Sequence, residues 1–183
     1  MAKIPSSILV LGLTAVSSFS ILFTTNLITK PLLENRENQR YLDLLNLESL
    51  GDYEAGLAIV PTGELQTAGI TEIKPFYLNN NLAAVVYAGS ATGFSTTIGI
   101  TFRLGIRDGV ITQFIVDGHG ESSGYGADVL LNVPEALENL NIEAESLWTA
   151  SLVSISTGST MTRRGIVNVL KAIRVDYIER MGG

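Results

Sequence analysis

The sequence predicts an α+β fold: an antiparallel β-sheet domain with covering helices, preceded by one N-terminal transmembrane helix. Three observations lead there. The run from Ile4 to Thr29, IPSSILVLGLTAVSSFSILFTTNLIT, holds no charged residue. Short β-type runs follow one another between residues 55 and 117, and a C-terminal segment carries apolar residues at helical spacing.

The first run contains enough apolar residues to cross hydrocarbon, since a helix of about 20 residues spans roughly 30 Å. A cleaved signal has a shorter apolar region, about 7 to 15 residues, ending in small residues. Here the run is longer and passes into FTTNLITK without such a site, so residues 1–30 are read as an uncleaved anchor. Lys3 precedes the span, whereas Lys30, Arg36 and Arg40 follow it among Glu34 and Glu37. That count mildly favours a cytoplasmic soluble part. Residues 31–51 read as a juxtamembrane helix, with Leu42 and Leu45 on one face and Gly51 at its end.

Residues 52–183 form the remaining domain. Strand-like runs occupy 55–61, 73–78, 82–88, 96–106 and 109–117. Asp108-Gly109 separates the longest two, and Asn80 lies in an Asn-rich stretch between two others. Asp-Gly between alternating runs signals a two-residue hairpin, because both central residues must tolerate positive φ. The expected sheet is an antiparallel meander. The segment Asp117 to Asp128, DGHGESSGYGAD, has four glycines in twelve residues and reads as a loop. PEALENL at 134–140 reads as a short helix opened by Pro134. TRRGIVNVLKAIRVDYIER places Ile166, Val169, Leu170, Ile173 and Tyr177 on one face, the pattern of a helix covering the sheet.

Composition excludes several functions. With a formal net charge of −6 the chain lacks the basic surface that nucleic acid requires. Without cysteine it forms no disulfide, thiolate zinc site or iron–sulfur cluster, and one histidine makes no His-rich cage. His119 and Glu121 are the nearest thing to a hydrolytic pair, but nothing in the spacing makes three groups converge. GHGESSGYG has glycines but lacks the lysine of a phosphate loop.

STGSTMTRR, Ser156 to Arg164, sets five hydroxyl side chains before a helix. A helix's first turn presents free N–H groups and binds phosphate readily. Thr157, Thr160 or Thr162 would ordinarily cap such a turn. Arg163 and Arg164 would add positive charge beside an anion.

Thr157-Gly158-Ser159-Thr160 resembles the [S/T]-G-[A/S]-T flavinylation motif of the FMN-binding domain family. That family includes the G subunit of Rnf electron-transport complexes and the C subunit of Na⁺-translocating NADH:quinone reductases. Glu121-Ser122-Ser123-Gly124-Tyr125-Gly126 is similar to the family's E-T-P-G-L-G flavin loop, and Gly93-Phe94-Ser95 with the following strands resembles the lead into it. The resemblance covers most of the chain after the anchor, and the chain's length suits the Rnf-type subunit. It implies covalent FMN, joined by a flavin transferase through a phosphoester to Thr160, with Thr157, Gly158, Ser159, Thr162 and the Glu121–Gly126 loop around it.

It also implies an electron-relaying flavoprotein on the cytoplasmic membrane, with its soluble domain extracytoplasmic. The partners would be other membrane subunits and an electron donor and acceptor. The chain departs from the motif at Ser154, where an aspartate is usual, at Ser123 in place of proline, and at Ser159 in place of the commoner alanine. An anchored binding or scaffolding module of the same fold without flavin is the alternative. Among the aromatics near these segments, Trp148 and Phe94 are read as core, and Tyr125 as the one most suited to lie against a flavin ring.

Overall fold

The computed structural model describes residues 6–95, 97–155 and 159–181. They divide into two units, Met1–Arg40 and Tyr41–Gly183. Residues 6–40 of the first lie in helix α1, Ser6–Leu45, which runs unbroken through the expected anchor boundary at 30–31 and ends at Leu45, short of the Gly51 expected to end it. Its hydroxyls turn back on the helix: Ser20 donates to the Val16 carbonyl and Thr24 to the Ser20 carbonyl, each at 2.8 Å. Val16, Phe19, Leu22, Phe23 and Leu27 are all exposed. Among the described residues no helix is long and apolar enough to cross a membrane.

The second unit is α+β, built on one five-stranded antiparallel sheet in chain order: β1 Tyr53–Ala55, β2 Ile70–Leu78, β3 Asn81–Ala91, β4 Ile100–Arg107 and β5 Val110–Gly118. The meander expected from the turns is present. Asp108 and Gly109 adopt φ of 51° and 78°, and Asn79 and Asn80 adopt 52° and 66°, so both hairpins use the left-handed pairs that match strand twist. The first strand differs from expectation. Only Tyr53–Ala55 forms a ladder, and within 55–61 a lone bridge joins Ile59 to Ile73. Leu57 and Val60 remain exposed, so the run has no apolar face to bury and no reason to extend.

Alternation along the strands gives the sheet two apolar faces. On one, Val85, Tyr87, Phe102, Leu104 and Ile106 lie in the main core. On the other, Phe76, Ala84 and Val86 pack with Tyr41, Leu44 and Leu45 from the end of α1. Arg107 fixes that end by donating to the Leu45 and Asn46 carbonyls, each at 2.9 Å.

The main core is covered by α3 Gly126–Leu137 and α5 Thr160–Met181, with a short α2 at Glu64–Thr67 and α4 at Glu145–Ser154. As the spacing predicts, Ile166, Val169, Leu170, Ile173 and Tyr177 of α5 are buried. The helix read as opening at Pro134 instead begins at Gly126, inside the expected loop, and carries Pro134 in its last turn. Val129, Leu130, Val133 and Leu137 make one buried stripe, and burying them outweighs the hydrogen bond that proline removes.

One buried polar contact ties α5 to the sheet. The Tyr87 hydroxyl donates to Asp176 Oδ2 at 2.7 Å, and Arg180 Nε donates to the same oxygen at 2.6 Å. Burial, with the Asp176 charge beside it, pushes the Tyr87 hydroxyl well above the ordinary tyrosine range. The folded chain therefore keeps a proton that the unfolded chain releases above about pH 10. Its contribution is present below that value and is lost as pH rises, by about 1.4 kcal/mol per pH unit. Tyr87→Phe should cost about 1–3 kcal/mol at neutral pH, because Asp176 loses a buried donor. In urea unfolding from pH 7 to 11 the variant should also lose stability less steeply than the parent above pH 10; equal slopes would contradict the assignment.

Candidate functional site

The two segments singled out in the sequence meet in space. Gly118 ends β5 and Gly126 begins α3, so the loop between them crosses the end of the sheet beside the start of α5. Thr162 and Glu121 are the contact: Thr162 Oγ1 donates to Glu121 Oε2 at 2.5 Å, and both residues are buried. A second link runs from the Ser159 N–H to the Tyr125 carbonyl at 3.3 Å. A third segment, between β3 and β4, closes the arrangement. The Ser95 N–H donates to Glu121 Oε1 at 3.0 Å, and the Phe94 N–H reaches both Glu121 Oε2 and Thr162 Oγ1 at 3.3 Å.

A buried carboxylate is costly unless it is hydrogen-bonded, and three donors on two oxygens meet that condition here. Gly93 and Gly126 make the approach possible. A Cβ at Gly93 would overlap Glu121 Oε1, and one at Gly126 would overlap Oε2 and crowd the Thr162 hydroxyl. Glu121 thus orients the loop from within. Its carboxylate is engaged by the protein on both oxygens.

His119 forms no catalytic pair with it. The imidazole is exposed, and its Nδ1 accepts from the Glu121 backbone N–H at 3.2 Å.

Beyond Glu121 the loop turns outward. Ser122, Ser123, Gly124 and Tyr125 are exposed, with the Ser122 carbonyl accepting from the Tyr125 and Ala127 N–H groups as α3 begins. Tyr125 is 65% exposed. Phe94 was expected in the core and is 58% exposed, because its backbone is held toward Glu121. Trp148 lies in the core as expected. Ile98 and Met161 are also exposed, so the three segments that meet at the Glu121–Thr162 contact carry four large exposed apolar or aromatic side chains.

Helix α5 starts at Thr160, two residues before the expected position. Its cap is Ser159, whose Oγ accepts from the Thr162 N–H at 3.4 Å and whose carbonyl accepts from the Arg163 N–H at 3.0 Å. Neither described threonine caps: Thr162 points inward and Thr160 is exposed. Residues two apart on a helix differ by about 200° in direction, which separates these two hydroxyls. Thr157 and Gly158 lie outside the described residues. Arg164 is exposed, while Arg163 turns toward α4 and donates to the Leu152 carbonyl at 3.5 Å.

Sequence reasoning named the loop and the helix start but gave no role to the backbone N–H groups of Phe94 and Ser95. The signal available was Gly93, a small residue just past a strand. No family model matches the chain, and no curated protein matches it.

Gly126→Ala should destabilise the domain by about 1–3 kcal/mol through overpacking against Glu121. Ser123→Ala, at an exposed position, should change stability by less than about 0.5 kcal/mol. Urea midpoints of the two variants check both values, and equal midpoints would argue that Glu121 is not tightly enclosed.

Proposed function

We propose that the chain is a membrane-anchored flavoprotein subunit, carrying FMN on Thr160 and relaying electrons within an Rnf-type ion-translocating complex. The observation that carries this reading is the meeting of the Glu121–Gly126 loop with the first turn of α5, joined by Glu121 and Thr162. Of the two segments that resemble flavin motifs, the loop is joined to the described end of the other through Ser159 and Tyr125, with the outward Thr160 hydroxyl beside them.

The residues suit the group. Thr160 is exposed, as an acceptor reached by a flavin transferase must be, whereas Thr162 is buried and already bonded. Attachment forms a bond between Thr160 Oγ and phosphorus, while a phosphoanhydride bond in the activated flavin donor breaks. The hydroxyl proton leaves with the departing phosphate. The first turn of α5 then offers its N-terminal dipole to the esterified phosphate. Tyr125, Phe94, Ile98 and Met161 supply exposed apolar surface of the kind an aromatic ring covers. When bound, the flavin supplies the redox chemistry, and the chain positions it and tunes its surroundings.

The anchor rests on the uncharged run Ile4–Thr29. The inward hydroxyl bonds of Ser20 and Thr24 and the exposed apolar side chains of α1 support it, because such a surface is stable in hydrocarbon and not in water. The family resemblance puts the domain on the extracytoplasmic side, with other membrane subunits and an electron donor and acceptor as partners.

Ser154, standing where the motif usually has aspartate, favours a second reading: an anchored module of this fold without flavin. Denaturing electrophoresis under ultraviolet light separates the two. From a host containing the transferase the parent chain should give a fluorescent band and Thr160→Ala a dark one. A dark parent band would overturn covalent attachment and leave the second reading.

A further inference from the structure

Between α4 and α5 lies a cleft of about 400 Å³, walled by one face of each helix. Glu145, Trp148, Thr149 and Leu152 are spaced to share a face of α4, and Arg163, Val167, Lys171 and Arg174 share a face of α5. The volume falls in the range of small-molecule sites, about 300–1,000 Å³.

Its charge is at odds with the rest of the molecule. The chain has a formal net charge of −6, with 12 lysines and arginines against 18 acidic residues. Yet this one cleft is lined by three cations and a single carboxylate, Glu145.

Among the described residues only one of the three cations is neutralised. Arg174 donates to the Ile142 carbonyl at 2.8 Å and pairs with Glu145 at 2.5 Å, so it serves as a fixed wall. Lys171 is exposed and has no partner among the described residues. Arg163 is more telling. Its Nε is buried and finds no hydrogen-bond partner among the described residues, and its nearest bond, to the Leu152 carbonyl, is long at 3.5 Å. Buried donors are nearly always satisfied, so an orphaned guanidinium N–H beside a cleft calls for an acceptor. Trp148 and Leu152, both buried at its wall, and Val167 give the cleft an apolar component.

We propose that the cleft between α4 and α5 binds a small organic anion, an apolar or aromatic body bearing one carboxylate or phosphate, held by Arg163 and Lys171. The guanidinium supplies directed donors to the acid group, and Lys171 adds charge at the mouth. The body of the ligand rests along Val167 and the Trp148 side. This site does not depend on a flavin at Thr160.

Trp148 is the only tryptophan in the chain, so its emission reports on the cleft. The full chain in detergent, made without flavin and carrying Thr160→Ala, would be titrated with 4-nitrobenzoate, an anionic aromatic quencher, and with neutral 4-nitrobenzyl alcohol. Saturable quenching by the benzoate is expected, with the alcohol at least about tenfold weaker. Arg163→Gln and Lys171→Gln should each weaken the benzoate by about tenfold, the loss of one charge-assisted bond. Because Lys171 is exposed, its variant carries the test even where Arg163→Gln fails to fold. Quenching that does not saturate, equal response to the alcohol, or benzoate binding untouched by Lys171→Gln would overturn the proposal, whatever the outcome of the flavin experiment.

Discussion

The architecture of the candidate site depends on the Glu121 carboxylate. Left unpaired in an apolar surround it would be costly to bury, so its position is tolerable only where donors converge on it. They come from two places distant in sequence, the backbone after β3 and the first turn of α5, and converge on the loop after β5 that carries the carboxylate. Each of these is a connection or an element end, the part of a chain least constrained by sheet or helix bonding. The carboxylate replaces that missing constraint. Packing alone would leave the turn after β3 and the start of α5 free to settle separately.

The second buried polar contact works at the opposite end of the same helix. Asp176 and Tyr87 lie well along α5 and β3, so α5 is fixed near its C-terminus by one acidic group and near its N-terminus by another. Between them the stripe Ile166, Val169, Leu170 and Ile173 supplies most of the burial. Apolar packing is non-directional and would admit some sliding of the helix over the sheet, whereas two hydrogen-bonded carboxylates fix its register.

What the sequence revealed follows from the range of the interactions involved. The hairpins at Asp108-Gly109 and Asn79-Asn80 are local, since positive φ at two adjacent residues is nearly a property of those residues, and they were legible. So was the stripe of α5, a regular period over many residues. Helix α3 was misread because Pro134 was taken as a beginning, although Val129, Leu130 and Val133 upstream already carried the helical period. Helix α4 was missed altogether, and the first strand was misplaced at 55–61, where only a lone bridge forms, while the ladder lies at Tyr53–Ala55. The candidate site was legible as two motifs and not as one structure. That the Phe94 and Ser95 N–H groups face Glu121 is set by the path of the chain after β3, which no local pattern encodes.

The two threonines of α5 show what this arrangement does for the site. Thr160 and Thr162 have the same chemistry and stand two residues apart, yet one is exposed and the other has no accessible surface. Helix geometry requires that divergence: if one hydroxyl turns to the core, its neighbour two positions away turns out. Glu121 decides which. By taking Thr162 as its donor it fixes the rotation of the first turn and so commits Thr160 to the surface. The Ser159 cap, fixed to the loop through the Tyr125 carbonyl, holds the start of the helix at the same depth. The exposure of Thr160 is therefore a consequence of the buried carboxylate rather than an accident of a fraying end. Any group joined to that hydroxyl would leave from a turn hydrogen-bonded to the loop, which the same side chain positions.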